Sequence, residues 1–152
     1  MTNLREKLIE IKDEEISKST TCEFLESAFD NQISKIKFQE GGTIYKFLAP
    51  CIIEGIPFTV TFLYNRENKL NEIKLNPKIK EFENPVDTMK ASFAVMRAWL
   101  EKQLGESDKL RENYDIYPYC ARIEYSDEKI KAEIHQEPVA GDIEPGVIRI
   151  TF

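Results

Sequence analysis

The chain has 152 residues, 21 Lys and Arg against 27 Asp and Glu, a formal charge of −6, and 41% apolar residues. That suits one domain spanning 1–152, large enough to bury a core without disulfides or a structural metal. No run of about 18 apolar residues occurs, which excludes a membrane-spanning helix, and nine Phe with six Tyr argue against a disordered chain.

Met1–Lys18 is charged throughout and lacks the apolar run of a secretory leader, so a cytoplasmic location is expected. Leu4, Leu8 and Ile11 share a stripe at helical periodicity, which predicts an amphipathic helix there. Thr20 and Glu23 stand at capping-box spacing, and a short second helix is expected over Cys22–Phe29.

From Ile33 to Leu75 the turn residues predict a four-stranded antiparallel meander. A two-residue turn at Gly41-Gly42 sets Phe38 opposite Tyr45 and Ile36 opposite Phe47. A second turn, at Glu54-Gly55, sets Cys51 opposite Phe58 and Phe47 opposite Phe62. A loop over Asn65–Asn68 sets Val60 opposite Ile73 and Leu63 opposite Leu70. Pro50 lacks a backbone donor, so the second strand should bend or bulge there.

Asn84-Pro85 is a capping residue followed by the residue best suited to the first helical position. Val86, Met89, Phe93, Met96, Leu100 and Leu104 then mark one face of a long helix ending at Gly105. Lys109–Asn113 reads as a polar loop. Alternation over Tyr117–Tyr125 predicts a strand that turns at Ser126-Asp127, setting Ile123 opposite Ile130. A nine-residue connection, Glu137–Pro145, leads to a last strand over Val147–Phe152. The expected fold is α+β, in the order α-ββββ-α-βββ, with an N-terminal helix or helix pair and one long helix packed on the sheet. A faint internal echo joins Phe24-Leu25-Glu26 to Trp99-Leu100-Glu101, each ahead of a strand block.

Catalytic signatures are missing. The chain has no phosphate-binding glycine loop, nucleophile elbow or His-Glu-x-x-His pair. Cys22, Cys51 and Cys120 are widely spaced, without the local pairs of a zinc site. Cys120 and His135 form the one conceivable nucleophile–base couple, diagonal across two strands. Glu137, Asp142 and Glu144 could meet a cation but lack the pattern of a calcium loop. No cofactor or metal is expected.

The outer face of the first strand block is more informative. Ile44, Leu48, Ile52, Leu63 and Leu70 alternate away from the expected core, where a solvated sheet should be polar. Tyr117 and Tyr119 add aromatic bodies with polar tips, which suit interfaces. These seven residues are the candidate partner-binding set. Interleaved charges, as in Lys78-Ile79-Lys80-Glu81, argue against nucleic acid, and net acidity favours encounter with a basic protein. In acidity, size and element order the chain is analogous to small bacterial immunity proteins and secretion chaperones, but this is a likeness of architecture alone, which identifies no family, and function does not follow from fold. The expectation is a non-enzymatic protein-binding module or homodimer. The alternative is a small-ligand domain or enzyme with a pocket between helix and sheet.

Overall fold

The computed structural model describes residues 1–137 and 144–152. Strands open the chain where a helix was expected. β1 (Ile9–Ile11) and β2 (Glu14–Ile16) form a hairpin turned at Lys12-Asp13, whose φ values of 50° and 68° are those of a tight two-residue turn. Ile9, Ile11 and Ile16 are fully buried on one side of it, so period-two burial prevails over the helical stripe.

α1 (Cys22–Ala28) follows as expected, but its cap is Thr21, whose side chain accepts from the Phe24 N–H at 3.1 Å. The Thr20 hydroxyl instead accepts from Ser17 N at 2.9 Å and closes the preceding turn.

The meander is present as β3 (Ile33–Lys37), β4 (Thr43–Phe47), β5 (Cys51–Ile53), β6 (Ile56–Tyr64) and β7 (Leu70–Pro77). The second expected strand is split into β4 and β5 around Pro50, and both pieces pair with β6. The Glu54-Gly55 register holds, with Cys51 opposite Phe58. Other registers differ. β4 against β6, and β6 against β7, slip by two residues, giving Tyr45 opposite Phe62 and Val60 opposite Leu75, which leaves the faces unchanged. β3 slips by three, because the chain turns over the longer Phe38–Gly42 segment, and Ile36 lies opposite Ile44. An odd slip reverses a strand's faces. Ile36 therefore turns outward, while Lys35 turns inward, its ammonium 5.8 Å from the Tyr45 ring centre.

α2 (Pro85–Leu104) matches expectation at both ends. The Asn84 side chain accepts from Val86 N at 2.9 Å, and Gly105 takes φ 81° at the C-terminus. β8 (Lys109–Asn113) is a strand where a polar loop was expected. β9 (Cys120–Tyr125), β10 (Ile130–His135) and β11 (Val147–Thr151) complete the sheet. β9 and β10 slip by two from the expected register, which sets Tyr125 opposite Ile130.

Both strand groups join one sheet, in the order β3-β4-β6-β7-β11-β10-β9-β8, with β5 alongside β6. It consists of two halves, each a helix followed by an antiparallel meander, and β7 meets β11 at the seam. Tyr45, Phe62, Ile73, Ile150, Ile130 and Tyr125 run directly opposite one another across the inner face. α2 covers this face with Met89, Phe93, Met96 and Leu100. α1 and the β1–β2 hairpin join the same core through Leu25, Phe29 and Ile11. Phe29 meets Phe47 edge-on at 4.9 Å, and Tyr64 Oη donates to Thr20 O at 2.7 Å.

Candidate functional site

Because side chains alternate along a strand, the same registers that bury the inner rows define the outer ones. In one outer row Ile36 faces Ile44, Ile44 faces Leu63, and Leu63 faces Glu72. Ile36 is 56% exposed, and Ile44 and Leu63 are half-buried. Three apolar side chains on adjacent strands thus form a continuous strip near the β3 edge.

The next row crosses all eight ladder strands. From Ser34 it passes Lys46, Thr61 and Lys74 in the first half of the sheet. Beyond the seam it continues through Arg149, Lys131, Glu124 and Lys109. A third row places Glu133 opposite Arg122 and Arg122 opposite Arg111. The carboxylates here are engaged: Arg149 reaches Glu133 and Glu72, each at 3.4 Å, and Arg122 reaches Glu124 at 2.9 Å. Among the described residues, no carboxylate lies within ion-pair distance of Lys46, Lys74, Lys109 or Arg111.

The candidate residues separate. Ile44 and Leu63 lie together on the outer face. Leu48 (69% exposed) stands in the break between β4 and β5, and Ile52 (71%) projects outward from β5. Leu70 is a correction. A bulge between Leu63 and Tyr64 sets it opposite Tyr64, on the inner face, where it is 4% exposed. Leu63 consequently faces Glu72 across the ladder. Tyr117 is exposed and meets half-buried Tyr119 edge-on at 6.3 Å, ahead of β9 and apart from the apolar strip. Sequence reasoning missed Ile36, whose outward position depends on the five-residue turn. It also missed the basic row, which becomes visible only once the two halves are joined at Lys74 and Arg149.

The remaining chemistry is sparse. Cys120 and His135 are directly opposite rather than diagonal, on the outer face. Glu144 Oε2 lies 3.0 Å from His135 Nε2, with both side chains about half exposed. Asp142 lies outside the described residues. Among the described residues no group of three or more His, Cys, Asp or Glu is placed to hold a metal ion. Cys51 is buried, and that burial pushes its thiol pKa up, which suits an inert core residue. A groove of about 710 Å³ opens at the end of the sheet, between Asn76, Phe82, Pro85, Thr88 and Pro145. Gly146 in its wall has no room for a Cβ, which would sit 2.6 Å from Ser92 Oγ.

Comparison with known protein families, curated proteins and solved structures found no match.

Proposed function

We propose that this chain is a non-enzymatic protein-binding module, of immunity-protein or chaperone-like type, that takes its partner on the outer face of the sheet. The observation that carries this reading is the one-sided arrangement of the fold. Both helices and the N-terminal hairpin contribute to the core on the inner face. The outer face keeps an apolar strip at Ile36, Ile44 and Leu63. A sheet face in water is ordinarily polar, and contiguous exposed apolar area marks binding surfaces. The alternative, a ligand pocket between helix and sheet, has less support, because Met89, Phe93, Met96 and Leu100 fill the space along α2 and the groove beside its first turns is open rather than enclosed.

The test is capture of partners from native lysate by the wild-type chain and by Leu63→Glu. A partner held by the wild type and lost by a variant that melts normally supports the reading. Retention of the same partner by the variant overturns it.

A further inference from the structure

We infer that the partner fitted by this face is an acidic protein surface, although the chain itself is acidic. The inference rests on the docking reading above and adds the chemistry of the occupant. The three outer rows described carry seven Lys and Arg (Lys46, Lys74, Lys109, Arg111, Arg122, Lys131 and Arg149) against Glu72, Glu124 and Glu133. Of the 21 basic and 27 acidic residues, this leaves 14 basic against 24 acidic elsewhere in the chain. The net negative charge therefore belongs to the rest of the molecule, and the proposed docking face is positive.

The placement strengthens this local field. Lys74, Arg149 and Lys131 occupy three consecutive strands in one row. Adjacent strands are about 4.8 Å apart, so each of these charges lies within one screening length of its neighbour in the row, about 8 Å at physiological salt. The three glutamates already engage Arg149, Arg122 and, at 3.9 Å, Lys131, while Lys46, Lys74 and Arg111 have no carboxylate within reach among the described residues. A carboxylate-bearing surface would complete those pairs, with the apolar strip as its anchor.

Nucleic acid is the other polyanion to consider, and this face suits it less. Recognition of single strands relies on aromatic platforms that stack the bases. Every Phe and Tyr within the ladder strands points inward, as the burial of Tyr45, Phe47, Phe58, Phe62, Tyr64 and Tyr125 records. The glutamates among the cations would also oppose a phosphate backbone.

Fluorescence anisotropy with labelled poly-L-glutamate tests the inference, with single-stranded oligothymidine as the comparison probe. The wild-type chain should bind poly-L-glutamate in a salt-dependent manner and more tightly than oligothymidine. Lys74→Glu combined with Lys131→Glu should weaken that binding about tenfold or more. Lys109→Ala with Arg111→Ala, on the exposed edge strand, is a second variant that guards against unfolding of the first, and circular dichroism checks both. Absence of salt-dependent poly-L-glutamate binding, or poly-L-glutamate binding that neither folded variant changes, overturns the acidic partner. Tighter binding of oligothymidine replaces it with nucleic acid. Failure of the docking reading shows itself separately, as partner capture that survives Leu63→Glu whatever the charge variants do.

Discussion

Lys74 and Arg149 stand directly opposite one another at the seam where the two halves of the sheet meet. Like charges in that relationship are unfavourable by a few tenths to about 1 kcal/mol. Arg149 is offset by Glu72 and Glu133, each 3.4 Å away, and Lys74 has no such partner among the described residues. Lys74→Thr would remove the repulsion and place a β-branched residue opposite Thr61. Its urea midpoint should rise, by about 0.5 kcal/mol of stability, while affinity for an acidic probe falls. Glu133→Ala should move the midpoint the other way. A stabilised Lys74→Thr chain with undiminished poly-L-glutamate binding would separate the seam from the docking face.

Leu63 and Leu70 were expected to face each other, and the bulge at Leu63 and Tyr64 puts them on opposite sides of the sheet. The two positions should therefore respond differently to the same substitution. Leu63→Glu places a carboxylate on a half-exposed outer face and should leave the fold intact. Leu70→Glu buries an unpaired charge in the core, at a cost of about 3–5 kcal/mol, a large share of a stability of about 5–15 kcal/mol. Thermal melting of both variants checks this. Similar melting temperatures would mean that the bulge does not separate the two residues.

How far the fold could be read from the sequence depended on whether a local signal was redundant. α2 carried a cap at Asn84, a proline at the first position, an apolar stripe and a terminal glycine, all in agreement. The N-terminal hairpin had no such redundancy. Its turn is Lys12-Asp13, without the usual glycine, and Leu4, Leu8 and Ile11 happen to share helical spacing. β8 was invisible because Lys109–Asn113 lies at a sheet edge, with only Leu110 to suggest alternation, and charged residues suit an exposed edge. Strand faces survived wherever the register slipped by two residues, as at Tyr45 and Phe62. They inverted where the slip was odd, as at Ile36, and at the bulge before Leu70. The docking strip was therefore legible at Ile44 and Leu63 alone. The basic row depends on the pairing of β7 with β11, which no turn encodes.

Trp99 is the only tryptophan, and it ties α2 to the far edge of the first meander. Its indole N–H donates to Ile53 O at 3.0 Å, and its ring meets Phe58 edge-on at 5.2 Å. Trp99→Phe keeps an aromatic ring but removes one hydrogen bond to a carbonyl that also closes the Glu54-Gly55 turn with Ile56, a loss of about 0.5–1.5 kcal/mol. The urea midpoint should fall accordingly. In the wild-type chain the same residue should emit at short wavelength and shift red on unfolding, since it is buried. An emission maximum typical of exposed tryptophan in the native state would contradict this packing.

Alkaline pH should unfold the protein through its tyrosines. Tyr125 Oη donates to Gly105 O at 2.7 Å, and burial, aided by the charge of Glu101, pushes its pKa from 10.0 up to about 12. Burial likewise raises the phenols of Tyr45 and Tyr64, with the Cys22 sulfur adding to the effect at Tyr45. A pKa raised by folding means that the native state holds the proton more tightly than the unfolded chain. The corresponding stability is present below pH 10, the unfolded value, and is lost as pH climbs through 12. Tyrosinate absorbance and circular dichroism followed in one titration should therefore change together over that range. In Tyr125→Phe, stability near neutral pH should fall through loss of the bond to Gly105, while the decline above pH 10 becomes shallower. Ionisation of all six tyrosines near their ordinary pKa, with the native signal unchanged, would refute the burial that the structure gives to Tyr45, Tyr64 and Tyr125.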